Sequence, residues 1–299
     1  NILEKKKKVP PKIKSITLIP LAGKGSRFST LGYKKPKPLL EVSGKPMIIQ
    51  AANSLPKSQK LIFVVLKEHL KNYPLKKILK DEFINSKIVS LEDTTQGQAI
   101  TCSLGLKDED INSSLLIAAT DNSMIYDQNK YQKLIEDKNV DAIIFTFRNH
   151  VSSKSNPQMY GWVKTDHKNN AIGVSVKVPI SKKTHKDHAI VGTFWFKKVQ
   201  FFNQGLKSLI DKSIKINNEY YVDSLMGELI NLGLNVKVFE VDNYLCWGTP
   251  NDYETFIYWQ SFFHKAQWHP YNLQKDSTVN KEKIEMLKKK YTIFKQEHQ

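Results

Sequence analysis

Four short, largely apolar runs punctuate the first 120 residues: SITLIPLA (15–22), LIFVVL (61–66), KIVSL (87–91) and SLLIAAT (114–120). Between them lie stretches with helical spacing: PMIIQAANSL (46–55), KEHLKNYPLKKIL (67–79, broken at its proline) and GQAITCSLGL (97–106). Strands that are apolar on both faces need cover on both, and strands separated by helices pair in parallel. That alternation leaves an α/β fold with a Rossmann-like, mostly parallel sheet and helices on both faces. After about residue 140 the rhythm changes. DAIIFTF (141–147), YGWVKTD (160–166), AIGVSVKV (171–178) and AIVGTFWF (189–196) read as strands with little helix between them, a mixed or antiparallel extension. Helices return at 201–210 and 219–233, then a strand at 235–241, an aromatic helix at 251–268 and a basic one at 280–294. The expected division is a basic lead-in without ordered structure over 1–14, a main domain over 15–262 and a helical extension over 263–299.

Composition narrows the class. Apolar residues make up 40 % of the 299 and charged residues 25 %, which is ordinary for a globular protein. No run of about eighteen apolar residues is present, so no membrane span is expected, and no secretory leader is visible. The chain does not open on Met, which leaves open whether it is part of a longer polypeptide. Cys102 and Cys246 form neither a disulfide framework nor a CxxC pair, which points to a cytoplasmic protein without a zinc site. About half of the net charge of +17 sits in residues 1–14 (+5) and 265–299 (+4). Lysine tails of this kind are read as solvated ends, and nucleic acid is not the expected partner. HExxH and GxSxG are both absent.

Directly after the first strand comes LAGKGSRF, with Leu21, Ala22, Gly23, Lys24 and Gly25 leading to Arg27. Ligands of α/β sheets bind beyond the carboxyl ends of strands, and glycines let the backbone approach a phosphate closely. The loop matches neither GxGxxG nor GxxxxGK[ST]. Arg27 and Arg148 are the only arginines among 46 basic residues. A guanidinium in such a lysine background suits a place that needs a planar fork on phosphate oxygens. Lys37 stands between two prolines that stiffen its backbone.

Glycine loop, Arg27 and KKPKPLLEVSGKPMI (34–48) together resemble the signature of the sugar-nucleotidyltransferase family, and further pieces follow in the family's order to about residue 260. The resemblance implies attack of a metabolite's phosphate on the α-phosphorus of a nucleoside triphosphate, with loss of pyrophosphate. It implies that the Gly23–Gly25 loop cradles the triphosphate, that Arg27 holds the β and γ groups and that Lys37 neutralises charge at the α-phosphate. Gln96, Gly97 and Gln98 would read the base, Asp121 would hold Mg²⁺, Tyr160 and Gly161 would line the acceptor, and Lys177 would hold the acceptor's phosphate. Such a transfer needs positioning and charge neutralisation, which cations and N–H donors supply.

Two positions depart from the resembled pattern. The second metal carboxylate would stand where this chain has Cys246, and a thiol is a soft ligand for hard Mg²⁺. Either Asp121 and the phosphates suffice, or Asp242 or Asp223 contributes, or the site is inactive. The usual Glu before Lys177 is Val176, which cannot pair with sugar hydroxyls. A sugar 1-phosphate is therefore one expected acceptor. A CTP-dependent reaction with a small non-sugar phosphate, such as phosphocholine or a phosphorylated amino acid, is the other. Tyr160, Trp162, Trp195 and Trp247 would either surround a choline-like cation or pack in the core. A non-catalytic nucleotide- or nucleic-acid-binding protein is the alternative from another class. FFHKAQWHPY (262–271) reads as a docking or homo-oligomer surface.

Overall fold

The computed structural model describes residues 14–23 and 25–293. The lead-in as far as residue 13, and Lys24, lie outside the described residues. Strands β1 (Ser15–Leu21), β2 (Glu41–Val42), β3 (Lys45–Pro46), β4 (Lys60–Leu66), β5 (Lys87–Leu91) and β6 (Ser114–Ile117) belong to the first half. They are followed by β7 (Asn122–Ile125), β8 (Ala142–Phe147), β9 (Gly161–Thr165), β10 (Ala171–Val176), β11 (His188–Phe196), β12 (Val236–Glu240) and β13 (Asn243–Cys246). Helices interleave: α1 (Ser26–Thr30), α2 (Met47–Asn53), α3 (Lys67–Asn72), α4 (Leu75–Glu82), α5 (Gln98–Gly105) and α6 (Gln128–Glu136). The remainder are α7 (Val151–Ser155), α8 (Val199–Asp211), α9 (Val222–Asn231), α10 (Pro250–Lys265) and α11 (Ile284–Ile293).

β5, β4, β1 and β6 form a parallel block, with Leu18 opposite both Ile62 and Ile117. The expected α/β architecture is therefore present. Past β6 the sheet turns mixed. β11 runs antiparallel to β6, β8 and β9, while β12 is parallel to β8 and β10 closes the far edge against β9. Leu18, Ile62, Val64 and Ile117 pack with α5, α8 and α9 on one face. Ile19, Phe63 and Val65 pack under α2 and α4 on the other. The predicted Pro break is real: Tyr73 and Pro74 separate α3 from α4.

Two features escaped the sequence reading. SLLIAAT stops being strand at Ile117, and the chain re-enters as β7, which pairs antiparallel with β13 in a separate ribbon. The C-terminal elements also fold back onto the signature segment. Leu273, Val279, Leu287 and Tyr291 share a cluster with Phe28, Leu40, Val42 and Met47. The contact is polar as well: Asn280 N–H donates to Ser43 O (2.9 Å), Gln50 Nε2 to Thr278 O (2.7 Å) and Lys283 Nζ to Glu41 Oε1 (2.9 Å). α10 runs unbroken across the division expected after residue 262. Among the described residues no helix is long and apolar enough to cross a membrane.

Candidate active site

The β1 exit supplies the first part. Leu21 and Ala22 are buried and end the strand's packing, and Gly23 opens to solvent. Gly25 has φ +62° at the start of α1, where a side chain would be strained and a Cβ would come within 3.3 Å of Lys37 Cβ. Phe28 is sunk into the C-terminal cluster, held edge-on by Tyr33 (5.2 Å) and Tyr253 (6.1 Å). With Phe28 anchored, Arg27 faces outward and is exposed.

Lys37 begins a single 3-10 turn between Pro36 and Pro38, and its ammonium is the hub of the site. Nζ donates to Asp121 Oδ2 (2.5 Å) and to Gly248 O (2.8 Å), and lies 5.4 Å above the Phe28 ring. Asp121 stands between β6 and β7, and its carbonyl accepts from Trp247 N–H (2.9 Å). Burial pushes the Asp121 carboxyl up, but the charge and hydrogen bond of Lys37, with help from Arg27, outweigh it and hold the group below the usual range. Its neighbour Asn122 donates to Val191 O (2.9 Å) at a bulge in β11. Bulges of this kind re-aim chains next to functional sites.

Cys246 pairs with Asn122 across the β7–β13 ribbon. A Cβ on Gly248 would lie 3.5 Å from Asp121 Oδ2 and 3.6 Å from Cys246 Sγ, so carboxylate and thiol border one space. The Cys246 thiol is pushed up to about 12, by burial first and by the charge of Asp252 second. A protonated thiol is no partner for a hard cation. Asp242 is exposed at the far end of the ribbon, four residues from Cys246, and the structure does not bring it to Asp121. Asp223 lies instead beside Gly161, where a Cβ would come within 2.6 Å of its Oδ1. Among the described residues no group of three or more His, Cys, Asp or Glu is placed to hold a metal. The donor set thus fits a cation carried by Asp121 and by phosphate oxygens, the arrangement Mg²⁺ favours in nucleotide sites.

The loop before α5 lies against the segment leading into α9. Gln96 O accepts from Tyr220 N–H (2.8 Å), and Tyr220 O accepts from Ala99 N–H (3.0 Å). Gly97 has φ +113°, and a Cβ there would come 2.6 Å from Tyr220 N, so only glycine fits. Gln96 Oε1 accepts from Lys215 Nζ at 3.3 Å, and Gln98 starts the helix.

β9 and β10 bring the acceptor candidates. β9 lies past the end of β6, over the first half of β11, with Val176 paired to Gly161. Lys177 leaves β10 with φ +60°, donates its N–H to Tyr160 O (3.0 Å) and reaches Tyr221 Oη with Nζ (2.9 Å). The Tyr160 ring itself is in the core, its hydroxyl on Ser152 Oγ (2.6 Å). Trp162, Trp195 and Trp247 are also buried, so the structure places these aromatics in the packing rather than round a ligand. Burial pushes the Asp223 carboxyl up to about 6, against the opposing charge of Lys177. Gly248, Tyr221 and the Asn122 amide were missed by sequence reasoning, since each acts through long-range contact. A cleft of about 1190 Å³ opens at the opposite edge where β1 and β6 begin, and of the candidate residues only Trp195 borders it. Arg148 forms a two-pronged pair with Glu240 (2.8 and 2.6 Å) and belongs to the sheet.

A family model described as Nucleotidyl transferase matches residues 16–234. A search of curated proteins finds no match. Among solved structures, the chain is similar to a nucleoside-diphosphate-sugar pyrophosphorylase from Vibrio cholerae RC9, with TM-score 0.65 and 22 % identity over 80 % of this chain and 98 % of that one. It is also similar to the inositol-1-phosphate CTP transferase from T. maritima, with TM-score 0.63 and 14 % identity over 82 % and 94 %. At these identities the likeness is one of fold.

Proposed function

Since the chain belongs to the nucleotidyl transferase family, we propose that it condenses a nucleoside triphosphate with a phosphorylated small metabolite and releases pyrophosphate. The observation that carries this reading is the Lys37 ammonium held between Asp121 and Gly248 O at the mouth of the glycine loop. An oxygen of the acceptor's phosphate attacks the α-phosphorus. A new P–O bond forms there, the bond to the β-phosphate's bridging oxygen breaks, and pyrophosphate departs. Backbone groups of Gly23 and Gly25 line the triphosphate, with Leu21 and Ala22 fixing where the loop starts. Arg27, exposed on α1, grips the departing pyrophosphate through paired donors. Lys37 exchanges part of its hold on Asp121 for the α-phosphate as charge develops there. Asp121 would hold Mg²⁺ together with phosphate oxygens, and the ion would supply further neutralisation at the transferring group.

Gln96, Gly97 and Gln98 read the base, and Lys177, aimed by Tyr221, holds the acceptor's phosphate beside Gly161. Val176 opposite Gly161 favours an acceptor with few hydroxyls, so a CTP-dependent transfer to a small non-sugar phosphate is the second reading. NTP use and two free thiols support a cytoplasmic setting. Thermal unfolding with Mg²⁺ and CTP, UTP, ATP, GTP or dTTP in turn tests the reading. One nucleotide at a hundred times its Kd is expected to stabilise by about 2.7 kcal/mol, and pyrophosphate release with candidate acceptors then names the second substrate. Uniform absence of a shift would remove the proposal.

A further inference from the structure

On α10, Tyr253, Ile257, Gln260 and Ser261 face the core, and the opposite side carries an aromatic strip. Tyr258, Trp259 and Phe262 remain 49, 47 and 39 % exposed, and Trp268 just past the helix is 75 % exposed. The rings are continuous. Tyr258 stacks on Phe262 (centroids 6.4 Å) and Trp259 on Phe263 (5.6 Å); Phe263 meets His269 (4.3 Å), which meets Trp268 edge-on (5.4 Å). A contiguous exposed aromatic surface on a folded chain marks an interaction site. None of these residues belongs to the nucleotide machinery.

Charge indicates what would cover it. Between Glu254 and Asp276 the chain has no acidic residue, only Lys265, Lys275, His264 and His269. α11 packs on the other, core-facing side of α10, where Tyr291 Oη donates to Gln260 Oε1 (2.6 Å). A second copy docked about a two-fold axis would set this basic, acid-free stretch against the same stretch of its mate. A nucleic-acid strand would need open ring faces for base stacking, and on the helix Tyr258 is already stacked with Phe262 and Trp259 with Phe263. An anionic bilayer suits both halves: Trp and Tyr rings settle at headgroup level, and lysines gain from the surface potential.

We propose that the outer face of α10, with the Trp268 turn and the basic stretch that contains it, is a peripheral docking surface for an anionic lipid bilayer. It lies on the membrane and does not cross it.

The full chain is mixed with phosphatidylcholine vesicles and with vesicles containing about one third phosphatidylglycerol. Binding is read by sedimentation and by tryptophan fluorescence. Trp162, Trp195 and Trp247 are buried, so a blue shift reports on Trp259 and Trp268. Binding is expected to be about tenfold tighter to the anionic vesicles, and Trp259→Ala/Trp268→Ala to lose about tenfold in affinity. Circular dichroism and nucleotide-induced stabilisation stay unchanged in that variant. Trp268→Ala alone, outside the helix, carries the same test with about a threefold loss should the double variant misfold. Lack of binding to anionic vesicles, or equal binding by wild type and both tryptophan variants, overturns the proposal. So does a dimer that the double variant abolishes, or a single-stranded RNA that displaces the vesicles through the same tryptophans.

Discussion

Lys37 is held by three partners at once, so its removal separates catalysis from folding only in part. Lys37→Met leaves the Asp121 carboxylate without its cation and the α-phosphate without its neutralising group. Turnover is expected to fall about 10²-fold or more, the scale of losing one oriented donor. A stability effect rides along with a definite sign. The Asp121 pKa is depressed in the folded state, so the pair stabilises above the ordinary carboxylate range and that contribution fades as pH falls through the folded value. Wild type and variant should therefore converge in denaturant midpoint as the solution is acidified. A gap that widens with acid contradicts the pairing. Asp223 behaves in the opposite sense. Its carboxyl is pushed up to about 6, so the folded state binds more protons than the unfolded chain between the ordinary carboxylate range and about 6. Stability should decline as pH rises through that window and then level off. Asp223→Asn is expected to flatten this slope in thermal melts taken from pH 4 to 7 (roughly the titration window).

At the scale of elements, the C-terminal extension acts as a brace on the segment that presents Lys37. Leu287 is 3 % exposed and packs in the cluster that contains Phe28, Leu40 and Met47. A Cβ on Gly44 would come within 3.3 Å of Leu287 Cδ1, which shows how closely α11 lies on the β2–β3 turn. Leu287→Ala is expected to cost about 2–5 kcal/mol, as for a core leucine rather than a fraying terminal helix. Equilibrium denaturation measures it; a loss well under 1 kcal/mol would show that α11 is only loosely docked. The β7–β13 ribbon plays the parallel part for Asp121. It joins residues 122 and 246 in one register, so Gly248 and Lys37 converge although the chain between them is long.

For the whole molecule, the layers are tied into one body by contacts far apart in sequence. Tyr33 Oη meets Glu254 (2.6 Å), Tyr253 Oη meets Glu41 O (2.8 Å) and Gln260 Nε2 meets Ser43 Oγ (2.8 Å). These contacts support a single cooperative unfolding event in which the extension does not melt separately. Calorimetry is expected to show one transition, with the tryptophan signal coincident with far-ultraviolet dichroism. Two separated transitions would establish the extension as a unit of its own.

The parallel half of the fold could be read directly because its signals are local. SITLIPLA and LIFVVL are apolar on both faces, and no arrangement other than a covered sheet satisfies such strands. The glycine loop, Arg27, Lys37 and Asp121 could be singled out from sequence because of the signature string and its resemblance to the family, and the structure brings Lys37 and Asp121 into contact. What stayed hidden depended on pairing over distance. IAATDNSMIYD reads as one strand and a turn, yet the chain breaks at Ile117 and re-forms as β7 only because YLC is there to pair with it. Cys246 announced itself as a departure, but its protonated state follows from burial and from Asp252, neither of which spacing reveals. Tyr160 looked like a ligand contact, and packing turned its ring inward. Periodicity and chemical type are properties of neighbours in the chain, so the sequence by itself determined the layered sheet and singled out the residues proposed to meet phosphate. Register, burial and the convergence of Lys37, Asp121 and Gly248 arise from contacts between residues as far as 211 positions apart, and only the tertiary structure decided them.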